Sequence, residues 1–350
     1  MSKKTSLKKL ILFIFAELLL IVAVVFVLDP FYQYHGPLFG GKAVLNDRDN
    51  QMPGTVRNFK YDSVLLGSSV MENCDNTYLD RQFGGNSIKI ARASGSVADL
   101  LYYLDMAEKN HSISQVFWCL DLPSLTSPVE TTLHKNSDAP WYLHTKNVID
   151  DVPYVYNKQI LMEKIPYSIA GVYLNKNVGG NAYNWAEDKV FSAEQVMRVY
   201  QKPKKVMHEK PFEEEKLLLS KNLVLLETQM KEHPDCTYRF FIPPFSMCWW
   251  DCAYVNGELE KNFYVLEETM KMLTQVENAE LYFYQDEEDI ICNLDNYMDM
   301  IHYTPQINQY MLEQLSKGEG KVEAETVEKT VKRMRKLVKK IYKKKIYNYY

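Results

Sequence analysis

Apolar and polar positions follow three patterns along this chain. From Leu10 to Leu28 the residues are apolar for 19 positions, with Glu17 as the single exception. That length matches the hydrocarbon core of a bilayer. Short apolar runs bounded by turn-forming residues then recur. Val64, Leu65 and Leu66, within Tyr61–Asn73, form the first. Runs that do not alternate with polar residues are typical of strands buried on both faces of a parallel sheet. On this basis strands are expected over 62–67, 87–91, 115–121, 237–242 and 279–284. Between them, helical spacing marks segments near 76–84, 97–109, about 211–233 and 257–275. Strands alternating with helices and joined by right-handed crossovers predict a three-layer α/β/α sandwich with a mainly parallel five-stranded sheet.

Two stretches depart from that alternation. Roughly 115 residues separate the third and fourth strands, and they include Trp141, Tyr142, Tyr154, Tyr156, Tyr167, Tyr173, Tyr183 and Trp185. A helical insertion over about 122–215 is expected there. It forms either a lid or substrate wall, or a helical subdomain with an aromatic core. The second stretch is 321–350, in which Val331, Met334, Val338 and Ile341 share one helical face while Lys329–Lys345 carries ten Lys/Arg and no acid. This basic amphipathic helix either lies on an anionic membrane or wall polymer, or docks on the domain with its basic face in water.

Charge sets the expected topology. Residues 1–9 carry Lys3, Lys4, Lys8 and Lys9, so the N-terminus stays inside, 10–28 spans the membrane once, and the main domain is extracytoplasmic. Asp29-Pro30-Phe31-Tyr32 is not a small-residue cleavage site, which favours an uncleaved anchor over a signal peptide. Glu17 is costly in lipid and is either protonated or faces a partner. A juxtamembrane connector (29–55) leads into a domain over 56–320. Removing the ten tail charges and the four N-terminal lysines from the net of −4 leaves about −18, so nucleic acid is not an expected partner. The 25 tyrosines suit an extracellular surface and carbohydrate contact. Cys74, Cys119, Cys236, Cys248, Cys252 and Cys292 form no CxxC or Cys/His cluster, and they read as mostly unpaired. No P-loop and no G-x-G-x-x-G occurs, and no cofactor is expected.

The candidate chemistry joins two distant segments. Gly67-Ser68-Ser69 ends the first strand, where open α/β sheets place their ligands. A serine there is either a helix N-cap or a nucleophile. Asp299-Met-Ile-His302 follows the last strand. There a histidine can take a proton from the serine while a carboxylate holds its other ring N–H. Ser69, Asp299 and His302 run in the order Ser…Asp…His, although G-x-S-x-G is absent because residue 71 is Met. Asp295 is a second candidate for the orienting carboxylate. Asn73, Asp121 and Tyr303 are expected near the pocket.

With these residues the chain resembles the SGNH/GDSL hydrolase superfamily. Within it, the chain is similar to the membrane-anchored branch related to teichoic-acid D-alanylation and polysaccharide O-acetylation proteins. Gly67-Ser68-Ser69 stands as the first block, Gly95 in Ala93-Ser-Gly-Ser96 as the second-block glycine, and Asp299-x-x-His302 as the last. The resemblance implies Ser69 as nucleophile and an oxyanion hole of the Ser69 and Gly95 amides plus an asparagine side chain. The third strand instead ends Leu120-Asp121-Leu-Pro123, and an ionised carboxylate cannot donate to an oxyanion. The implied function is a serine esterase or O-acyltransferase acting on a cell-surface polysaccharide or teichoic-acid-like polymer. The alternative is an accessory of the same fold that binds polymer, or docks a membrane O-acyltransferase through Glu17. A metal-dependent phosphate-ester enzyme is a third reading, opposed by the lack of a ligand cluster.

Overall fold

The computed structural model describes residues 3–38, 41–133, 140–200 and 206–349, with side chains from Ser6 onward. The side chains of Lys3 and Lys4, and residues 134–139 and 201–205 of the expected insertion, lie outside the described residues. The helices in chain order are α1 (Lys3–Leu28), α2 (Arg48–Asn58), α3 (Asn76–Phe83), α4 (Val97–Asn110), α5 (Val152–Val155), α6 (Ile165–Leu174) and α7 (Ala193–Val199). Then come α8 (Glu213–Glu232), α9 (Met247–Val255), α10 (Leu259–Leu273), α11 (Glu288–Ile291), α12 (Pro305–Lys317) and α13 (Val327–Lys340). The strands are β1 (Ser63–Gly67), β2 (Ser87–Ala91), β3 (Gln115–Cys119), β4 (Thr237–Ile242) and β5 (Ala279–Phe283).

All five strands pair in parallel, in the order β2-β1-β3-β4-β5. The register sets Gly67 beside Ala91 on one side and Cys119 on the other. Val64, Leu65 and Leu66 are fully buried, as a central strand covered on both faces requires. α8 packs against α4 and α10, and α12 packs against α3; with the usual right-handed crossovers these two groups cover opposite faces of the sheet. Strand order reverses between β1 and β3, and that reversal opens the crevice at the strand ends where such sheets bind ligands. The helices hold their register through local caps. Ser96 and Asp99 close a capping box at the start of α4.

The chain divides into two compact units. The sheet unit is Tyr61–Thr132 with Gly180–Tyr350. The other unit joins Met1–Lys60 to Leu133–Gly179. Among the described residues the long insertion holds short helical pieces and no strand. Its aromatics are shared between the units: Trp141, Tyr142, Tyr154, Tyr156, Tyr167 and Tyr173 fall in the N-terminal unit, Tyr183 and Trp185 in the sheet unit.

In the N-terminal unit Val25, near the end of α1, is fully buried with Phe31, Leu143, Tyr154, Val155, Ile160 and Ile165. Asp29 organises the turn that follows α1. It accepts from the backbone N–H of Gln33 (2.9 Å) and Tyr34 (2.7 Å), and from the Tyr154 hydroxyl (2.7 Å). Burial raises the Asp29 carboxyl above its ordinary value, and these bonds only partly offset it. From Leu10 to Leu28 α1 is apolar apart from Glu17 and mostly exposed, and among the described residues Ser6–Leu28 is the one helical stretch long and apolar enough to cross a membrane. Glu17 is exposed on its surface.

Two regions take a definite form in the structure. Residues 247–255 form a helix that the apolar pattern did not show, because Met247, Cys248, Trp250, Ala253 and Val255 leave it buried on most sides. The tail helix α13 packs against α10 and α9. Val331, Met334, Val338 and Ile341 are buried there, so the apolar face is not available to lipid. Ion pairs from Arg335 to Glu260 (2.7 Å), from Lys345 to Glu288 (2.8 Å) and from Arg333 to Asp286 fix it on the sheet unit.

Candidate active site

The site begins at the carboxyl end of β1. Gly67 leaves the strand at a point where a side chain has no room: a Cβ there would stand 2.9 Å from the Met71 Cβ and 3.1 Å from the Cys119 carbonyl oxygen. The chain turns at once, with Met71 N–H donating to the Ser68 carbonyl (3.0 Å) and Glu72 N–H to that of Ser69 (3.3 Å). Ser68 points inward at 6 % exposure, and Ser69 is the half-exposed member of the pair. Among the described residues the Ser69 amide has no acceptor.

The second segment is the loop after α11. An isolated antiparallel bridge joins Tyr297 to Tyr303. Met298 N–H donates to the His302 carbonyl (3.0 Å), while the Ser246 N–H (3.0 Å) and hydroxyl (2.8 Å) both bind the Met300 carbonyl. Asp299 folds back within this strap. One oxygen accepts from the N–H of Ile301 and His302 (2.8 Å each), and the other lies 2.7 Å from His302 Nδ1. His302 Nε2 then stands 2.8 Å from Ser69 Oγ, across 233 positions of sequence. Burial pushes the Asp299 carboxyl up, but these hydrogen bonds outweigh it and hold the group below the usual carboxylate range. The carboxylate therefore stays ionised and fixes the proton on Nδ1, leaving Nε2 to accept the Ser69 proton.

Trp185 joins the two segments. Its Nε1–H donates to the Ser69 carbonyl (2.9 Å), and its ring meets His302 edge to face at 5.3 Å. Asn73 Oδ1 accepts from Trp185 N–H (3.1 Å), which assigns the amide's orientation. Asn73 Nδ2 is then a buried donor without a partner among the described residues. Sequence grouped Trp185 with seven other aromatics and gave no means of singling it out.

The remaining expected residues fall in different places. Asp295 is not at the histidine: it accepts from Ala193 N–H (2.8 Å) at the start of α7. The Gly95 N–H is taken by the Arg92 carbonyl (3.0 Å), so it is not free to meet an oxyanion. Tyr303 is core rather than pocket, at 1 % exposure, with its ring packed edge to face against Tyr297 at 6.3 Å. Asp121 is buried, accepts from Ser124 N–H (3.1 Å) as the cap of the turn 122–126, and interacts with the Ser68 side chain. Burial raises its carboxyl above the ordinary value. The six cysteines are free thiols. Among the described residues no group of three or more His, Cys, Asp or Glu is placed to hold a metal.

No family model matches this chain, and no curated protein matches it. One solved structure is similar at 10 % identity and a TM-score of 0.39, covering 77 % of this chain and 92 % of its own. It is a Streptococcus pneumonia protein provisionally described as a platelet activating factor.

Proposed function

We propose that this protein is a membrane-anchored serine hydrolase or O-acyltransferase whose substrate is an ester on a cell-surface polysaccharide or teichoic-acid-like polymer. The observation that carries it is the relay from Ser69 Oγ through both ring nitrogens of His302 to Asp299, at 2.8 and 2.7 Å. Ser69 Oγ attacks the ester carbonyl as its proton passes to His302 Nε2. Asp299 holds the resulting imidazolium through Nδ1. The alkoxide leaves with the proton from Nε2, and an acyl group remains on Ser69. Water or a polymer hydroxyl then gives its proton to His302 and takes the acyl group. The Ser69 amide is the backbone donor for the oxyanion. Asn73 Nδ2, four residues further on and without a partner among the described residues, supplies the side-chain amide that the third strand lacks.

Attachment to the membrane by an uncleaved α1 is supported by the burial of Val25. A signal peptide is discarded on cleavage, whereas this helix contributes to the folded core of its unit. The exposed lysines of α13 and Glu17 on α1 remain the surfaces for an anionic polymer and for a membrane O-acyltransferase, respectively.

The engaged Gly95 amide favours a second reading, an accessory that binds polymer without turning it over. The full chain incubated with p-nitrophenyl acetate distinguishes the two. Catalysis predicts a burst of nitrophenol and one acetyl group on the peptide bearing Ser69, both absent from Ser69→Ala. An equal acetyl yield in that variant would remove Ser69 from the mechanism.

A further inference from the structure

α1 is accompanied along its outer half by a second apolar element. Residues 148–156, which include α5, carry Val148 at 74 %, Ile149 at 77 % and Val152 at 52 % exposure. Single exposed apolar residues are ordinary, but a cluster of this kind marks an interaction surface. Lys146 and Lys158 flank the cluster and are exposed. Val148, Val152, Val155 and Tyr156 close against Val22 and Phe26 of α1, with Tyr34 and Asp151 at the border, around a cavity of about 250 Å³.

The depth of this contact follows from helix geometry. At 1.5 Å per residue, Phe26 lies about 3 Å, Val22 about 9 Å and Leu18 about 15 Å below Leu28 along α1. The Tyr156 hydroxyl donates to the Leu18 carbonyl (3.4 Å). If α1 spans the bilayer, Leu18 is near its midplane, where a polar group needs an internal partner because no water is present. Asp151, the one charged group lining the cavity among the described residues, is likewise bound within the protein, accepting from Gln33 Nε2 (3.3 Å).

We infer that residues 148–156 dip into the outer leaflet beside α1 as a monotopic wedge, and that the apolar groove between wedge and span holds one acyl chain of a membrane lipid. The inference rests on the reading of α1 as a span. Continuity with that span identifies the occupant: the groove opens at the depth where lipid tails are the surrounding solvent, and its walls are almost wholly apolar. Lysines at both ends of the wedge suit the headgroup level.

The test uses the full chain in phosphatidylglycerol/phosphatidylethanolamine vesicles, with p-benzoylphenylalanine in place of one residue at a time. Irradiation at position 149 is expected to give lipid adducts at a yield like that of position 12 in α1, and none is expected at position 221 on α8. Adducts at 12 with none at 149 would overturn the wedge while leaving the span intact. No adducts at 12 would remove the span and the wedge together. For the groove, a probe at 156 is combined with Val22→Trp, which fills the cavity. Adducts at 156 should fall several-fold while those at 149 persist. Unchanged adducts at 156 would overturn the acyl-chain site.

Discussion

The two units of this chain solve the same burial problem in opposite ways. The sheet unit is assembled from segments whose apolar periodicity already specifies their state, and its core is the fully buried β1 flanked by β2 and β3. Among its described residues the N-terminal unit has no sheet. Its core gathers one end of α1, the turn at Asp29 and residues more than 100 positions later. Polar groups play different parts in the two. In the sheet unit the carboxylate of Asp299 is held in its charged form to orient a histidine. In the N-terminal unit the buried Asp29 pins a turn with hydrogen bonds, and burial raises its carboxyl. The proposed chemistry thus belongs to one unit and the proposed attachment to the other, and substitutions should separate the two.

The largest separation is expected at the serine and histidine. Ser69→Ala and His302→Ala should each lower ester turnover by about a thousandfold or more, with the thermal midpoint and membrane retention unchanged. Loss of membrane retention in either variant would break the division between the units. Asp299→Asn should also cost about a thousandfold or more, because the amide favours the wrong histidine tautomer. The wild-type carboxylate also has a pH signature. Its folded value lies below the ordinary 3.8. Its stabilising contribution is therefore complete above about pH 3.8 and lost as pH falls through the folded value. A urea series from pH 6 down to pH 2 should show that loss in the wild type and not in Asp299→Asn.

Trp185→Phe keeps the ring against His302 and removes the Nε1–H bond to the Ser69 carbonyl. We expect kcat to fall about tenfold, the effect of about 1.4 kcal/mol lost from a positioning contact, with KM little changed. A change confined to KM would instead make Trp185 a substrate wall. In the other unit, Tyr154→Phe removes the hydroxyl that serves Asp29. Calorimetry should show a loss of about 1–3 kcal/mol, with serine reactivity retained.

A last effect, read as a pH slope rather than a loss of activity, concerns Lys89 of β2, whose ammonium donates at 2.8 Å to the carbonyls of Glu72, Gly180 and Ala182. Burial lowers it to about 8 from 10.5. Between those values the unfolded chain binds the proton and the folded chain does not, so stability should rise with pH there. Lys89→Met should lose that slope.

These differences also explain what could be read in advance. All five strands and the helices between them were legible, because each apolar run is local and bounded by its own turns. The Ser69–His302–Asp299 set was legible as residue types at plausible places, because a strand end and an Asp-x-x-His spacing are local facts. Its surroundings were not. Gly95 and Tyr303 were expected to face the site, but the Gly95 amide closes a turn on Arg92, and the Tyr303 ring is buried edge to face against Tyr297. Trp185 gave no local signal, because its place depends on Asn73 and on the return of the chain from the other unit. The tail helix shows that an amphipathic pattern fixes a buried face but not what buries it: α10 does so here.

The most direct test is covalent. The full chain in detergent micelles is treated with a fluorophosphonate probe, and the modified peptide is identified by mass for wild type, Ser69→Ala and His302→Ala. The account predicts a single adduct on the peptide bearing Ser69, absent from both variants. A folded wild type that takes no adduct, or an adduct that persists when His302 is removed, would contradict it.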